Sequence, residues 1–140
     1  MRRSPRTGRR PRELAWRVPL YLVAAIDVAF GLWSIARPHD TADLLSLGLL
    51  DDTAAGEIRT VFGGLVLAIG VLIWQGVRRG RPAWLRVVGY GHCGLAAGRA
   101  ASLVLDGMHA YTAVSLAFEA GVALLLLYGA RRLDFVQKNF

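Results

Sequence analysis

Apolar stretches about as long as a bilayer is thick, separated by clusters of arginine, constrain this chain more than any other feature. They run over about residues 18–36, 57–77, 83–105 and 110–130. About 20 predominantly apolar residues cross the hydrocarbon as a helix, because a helix satisfies its own backbone there. The apolar residues come in blocks, without the stripe of an amphipathic soluble bundle. The pattern predicts an all-α integral membrane bundle of four transmembrane helices. With 140 residues, 54% of them hydrophobic, the chain is expected to be one domain.

The flanks fill in the organisation. Residues 1–17 hold seven arginines and two prolines with almost nothing to bury, and read as a basic disordered arm. Ser34-Ile35-Ala36 loosely fits a signal-peptide cleavage site, but Asp27 in mid-span and Arg37-Pro38 directly afterwards argue against cleavage. Residues 43–50 are too short to span and suggest an interfacial helix between spans one and two, with Thr41 as its N-cap. Residues 133–140 read as a short tail. Cationic residues number seven in the arm, four in the loop Arg78–Arg86 and three after residue 130. The loop after the first span has Arg37 alone, and the turn after the third has none. That bias puts both termini in the cytoplasm. Trp16, Trp33, Trp74 and Trp84 lie near span ends, as interfacial anchors do. Richness in Arg, Ala and Gly with a single Lys suits a GC-rich bacterial genome, hence a bacterial inner membrane.

Composition also excludes classes. A net charge of +7 would suggest nucleic acid if the arginines lined one face; here they alternate with apolar blocks, so no nucleic-acid partner is expected. The only cysteine is Cys93, which leaves no internal disulfide and no CxxC zinc or redox pair. Cys93 itself reads as a small core residue.

The ionisable residues inside the apolar blocks are the candidate site. A charge at membrane depth is costly and normally faces protein or water. Asp27 lies in the first span, Glu57 and Arg59 open the second, Arg99 lies in the third with Asp106 after it, and Glu119 sits in the fourth. His92, Arg99 and Asp106 recur every seven residues and share a helix face. Gly94, Gly98 and Ser102 line a neighbouring face that would let another helix approach, as would Gly63 and Gly64 in the second span. Asp27, Gly31 and Ser34 share a face of the first span, and Thr112, Ser115 and Glu119 a stripe of the fourth. Depth along the helices suggests an inner layer of Arg99, Glu119 and Asp27, and an outer layer of Arg59, Glu57 and Asp106. Asp27, Glu57, Asp106 and Glu119 outnumber the two guanidinium groups, so a desolvated cluster should protonate a carboxyl, admit water or hold a cation. Asp27, with no cation at its level, is the carboxyl expected to titrate abnormally. The bland alternative is a set of buried pairs that fix helix register. His92 then reads as a hydrogen-bonded core residue, and His109 as a solvated turn residue.

Glu57-Ile58-Arg59 leading into Gly63-Gly64, then Gly98-Arg99-xx-Ser102-xxx-Asp106-Gly107, then a lone Glu119, resembles an uncharacterised, domain-of-unknown-function family of small bacterial four-helix membrane proteins. The resemblance covers residues 36–132. In size and topology the chain is also similar to DoxX-like four-span proteins, some of which use paired cysteines that this chain lacks. The resemblance implies a fold and a set of coupled polar residues, and no activity.

Two functions compete. An accessory or scaffold membrane protein would use the buried charges structurally. A small-molecule or ion binding protein, or a proton-coupled transporter, would use Asp27 and Glu119; small multidrug transporters are analogous in size and in a carboxylate in the first span. A cavity reaching Asp27 separates the two. An enzyme has the least support, since no nucleophile–base pair or metal-ligand spacing appears; no catalytic residue, metal or cofactor is expected. Expected partners are the lipid bilayer and either a second copy or another membrane protein.

Overall fold

A computed structural model describes residues 15–48, 52–107 and 110–138, and within them the fold is all-α. Helix α1 spans Val18–Ala36 and α2 Pro38–Leu44. Helix α3, Asp52–Ile58, runs directly into a π-helical segment, Arg59–Leu65, and then into α4, Val66–Arg78. Helix α5 covers Pro82–Leu105 and α6 Ala110–Lys138.

Proline and left-handed residues punctuate the chain. A residue before proline is driven out of helical conformation. Arg37 (φ −133°) therefore ends α1, and Pro38 starts α2. Gly80, at φ +62°, closes α4; Arg81 N–H bonds to the Gly76 carbonyl at 2.8 Å, and Pro82 opens α5. Ser46 closes α2 the same way at φ +57°, a conformation that costs a side-chain-bearing residue more than glycine.

Three helices are long and apolar enough to cross a membrane: Val18–Ala36, the continuous Asp52–Arg78 helix and Ala110–Lys138. The 24 residues of α5 are also enough to span. Arg86, His92, Arg99 and several glycines interrupt its apolar run.

Two hairpins build the molecule. Helix α1 lies along the π segment and α4, and α5 lies along α6. The first hairpin is tight because glycines sit at the crossing. A Cβ on Gly31 would lie 2.7 Å from the Leu67 backbone nitrogen, and one on Gly70 2.8 Å from the Ala24 carbonyl. Gly63 is likewise buried against Ile35. The other glycines expected at helix contacts are elsewhere. Gly64 is exposed, and Gly94 and Gly98 point away from the bundle, with nothing within 4 Å of an added Cβ. Ser102 is half-buried and Cys93 is exposed, not a core residue.

Packing is polarised along the bundle. Leu20, Ile73, Val77, Leu85, Leu126 and Leu133 are fully buried and all lie at the end where α1 and α5 begin and α4 and α6 finish. Arg86 pairs with Asp134 across α5 and α6, and Gln137 donates to the Gly80 carbonyl. These contacts explain why α6 continues as helix past Arg131 and Arg132 to Lys138, where composition suggested a tail. Towards the other end, burial on α5 stops at His92 and on α6 begins only at Val122.

The segment that follows α1 also differs from expectation. The helix is Pro38–Leu44, earlier than the apolar run at 43–50, because Pro38 starts it. Thr41 lies inside it and is buried. Its hydroxyl bonds to Ser34 Oγ at 3.2 Å and to the Arg37 carbonyl at 3.1 Å, so it clamps α2 to α1 and is not an N-cap. Residues 49–51, His109 and the basic arm up to residue 14 lie outside the described residues.

Candidate functional site

Where the packed half of the bundle ends, α5 and α6 stand off from the first hairpin, and a cavity of about 360 Å³ opens between them. Its walls are apolar and aromatic, with Phe30 from α1, Phe62 from the π segment, Ile69 from α4 and Phe118 from α6. The polar side chains reaching it are Asp27, His92, Arg99, Tyr111, Ser115 and Glu119. The π segment turns both Phe62 and Leu65 into this space while Gly63 holds the contact with α1. Single π turns of this kind recur at functional positions.

Asp27 forms the floor. It is 7% exposed, and its Oδ2 is buried without a hydrogen-bond partner. It lies within electrostatic reach of both His92 and Glu119. His92, 6% exposed, bonds through Nδ1 to Glu119 Oε2. A carboxylate only accepts, so this contact puts the ring proton on Nδ1. The other ring nitrogen, Nε2, accepts in the neutral ring and donates in the imidazolium, and it too is buried with no partner among the described residues. Two buried polar atoms on one cavity are thus left without a partner among the described residues. Buried polar atoms are nearly always satisfied, and exceptions point to water, an ion or a ligand.

Arg99 stands further along α5. Its guanidinium lies 5.5 Å from the Tyr111 ring centre, a cation–π contact. Within the expected inner layer of Arg99, Glu119 and Asp27, no hydrogen bond or ion pair joins Arg99 to Glu119, which is held by His92 instead. The reason is depth. Arg99 is seven residues, or roughly 10 Å, beyond His92 along the helix axis. Both residues nevertheless line the same cavity.

The outer layer of charges does not assemble either. Glu57, Arg59 and Asp106 are exposed. Arg59 donates from Nε to the Ile35 carbonyl at 3.3 Å, which ties the π segment to the end of α1. The inner residues Asp27, His92, Arg99 and Glu119 are therefore the ones brought together. The aromatic lining and Tyr111 escaped the reading of charges, because an apolar side chain facing a cavity looks like one facing lipid. Among the described residues no group of three His, Cys, Asp or Glu side chains could hold a metal ion.

A family model described as a domain of unknown function (DUF4345) matches residues 15–136, and the chain belongs to that family. The match takes in the first three long helices, α6 up to residue 136 and every residue of the cavity. No curated protein and no solved structure matches the chain.

Proposed function

We propose that this member of the DUF4345 family is a non-enzymatic, four-span membrane protein that binds a small lipophilic molecule bearing an N–H or O–H donor. The observation that carries the reading is the pair of unpartnered buried polar atoms on one mostly apolar cavity, the Asp27 Oδ2 carboxyl oxygen and His92 Nε2. A ligand site typically combines an apolar wall with a few convergent polar groups, and about 360 Å³ is within the usual range. Exposed rim residues, Ile26, Leu65, Leu95 and Phe118 among them, support entry sideways from the bilayer. On this reading α5 crosses the membrane beside α6, and Arg99 shields its charge against Tyr111. The membrane is a bacterial inner membrane, with both termini cytoplasmic. An accessory or scaffold role is the second reading. It is favoured by the exposed small-residue face of α5 at Gly94 and Gly98, which nothing among the described residues covers.

Asp27 separates the two. An unsatisfied buried acceptor costs about 1–3 kcal/mol. In a binding protein, Asp27→Leu should leave the empty protein at least as stable as the parent while removing ligand binding. In a scaffold it should destabilise. The assay is thermal unfolding in detergent micelles with 1-naphthylmethanol or its methyl ether, which share a ring system and differ in the donor. The alcohol should stabilise the parent, the ether should not, and Asp27→Leu should respond to neither. Equal stabilisation by the ether, or collapse of Asp27→Leu, would contradict the binding role.

A further inference from the structure

A second concavity lies on the opposite side of α1 and has no part in the site above. It is an open groove of about 570 Å³ between α1 and α4. Small residues, Ala25 and Ala29, leave room on the α1 side, and Val71 and Trp74 wall the α4 side. Its lining on α1 runs from Ala24 to Leu32. That is roughly 12 Å of helix, most of one leaflet of a hydrocarbon core about 30 Å thick. The groove is apolar along this length and ends on Gln75, Arg78 and Arg79. Arg78 and Arg79 are exposed at the close of α4, and neither engages an ion pair among the described residues. The acidic residue near that end, Asp134, is already taken by Arg86.

We propose that this groove holds an acyl chain of an anionic phospholipid whose phosphate sits on Arg78 and Arg79. A free apolar channel that terminates in two unpaired guanidinium groups at a span end complements that chemistry at both ends. Guanidinium groups bind phosphate through paired N–H donors, and basic sites beside helix ends attract anionic head groups. A zwitterionic lipid fits the channel but gains less at its mouth. The inference rests on the membrane reading and not on the internal cavity.

The test is native mass spectrometry of the detergent-purified protein titrated with phosphatidylglycerol and with phosphatidylcholine of the same acyl chains. The parent should retain one phosphatidylglycerol about tenfold more tightly than phosphatidylcholine, and millimolar inorganic phosphate should not displace it. Arg78→Gln with Arg79→Gln should erase that preference. Ala25→Phe with Ala29→Phe, at two exposed positions, should reduce retention of both lipids. Arg131→Gln with Arg132→Gln, a basic pair outside the groove, should change neither. Equal retention of the two lipids by the parent overturns the proposal without any variant. Displacement by free phosphate, full retention by the filled groove, or equal loss from the Arg131 and Arg132 variant also overturns it.

Discussion

His92 and Glu119 owe their importance to what each would be without the other. Glu119 sits in the middle of a helix apolar enough to span, and His92 is buried at the boundary between the packed and open halves. Each satisfies one polar atom of its partner. Removing one strands the other, at a cost of about 1–3 kcal/mol or more if charged. His92→Phe and Glu119→Leu should therefore each lower unfolding stability in micelles, and the double variant should lose clearly less than the two losses combined. Additive losses would mean that the contact carries no coupling. Asp27 behaves differently, because Oδ2 has no protein partner to strand.

At the scale of elements, the glycines divide into two kinds that look alike in composition. Gly70 lets α1 and α4 touch backbone to backbone; a Leu there has to push the Ala24 carbonyl away, and overpacking of this kind costs about 1–3 kcal/mol. Gly98 faces open space, and a Leu there gains helix propensity of up to about 1 kcal/mol. Gly70→Leu should therefore lower the yield and melting temperature of purified protein, and Gly98→Leu should leave them unchanged or raised. A severe loss for Gly98→Leu would reveal a partner helix on that face and favour the scaffold reading. The π segment is an element that no periodicity announced. Within it, Arg59 and Gly63 both meet the end of α1, a tertiary contact that local periodicity does not encode.

At the scale of the whole molecule, one end is a close-packed leucine and valine core and the other end holds the cavity. The positive clusters flank the packed end, at Arg17, at Arg78–Arg86 and at Arg131–Arg132. If those clusters face the cytoplasm, the cavity lies towards the outer half of the membrane. An alkaline phosphatase fused after Phe140 should then be inactive, and a green fluorescent protein at the same position should fluoresce. The reverse pattern would invert the molecule and move the cavity to the cytoplasmic half.

Much of this architecture was readable in the one-dimensional pattern. The apolar blocks coincide with the four long helices, three of which are long and apolar enough to cross a membrane. Arg37-Pro38 and Gly80-Arg81-Pro82 set two of their boundaries through φ/ψ restriction. Charges in apolar blocks marked Asp27, Arg99 and Glu119 as residues that need company. Which company was decided in three dimensions. Depth was counted separately from the end of each helix, and an error of about two turns in that count is the difference between Arg99 and His92 as the partner of Glu119. Helical faces calculated for one helix do not say which neighbour covers them, so Gly94 and Gly98 looked like a contact and are bare, while Glu57, Arg59 and Asp106 looked gathered and are dispersed. The cavity has no one-dimensional signature at all. It exists because two hairpins pack at one end and part at the other, and a void is a property of relative placement.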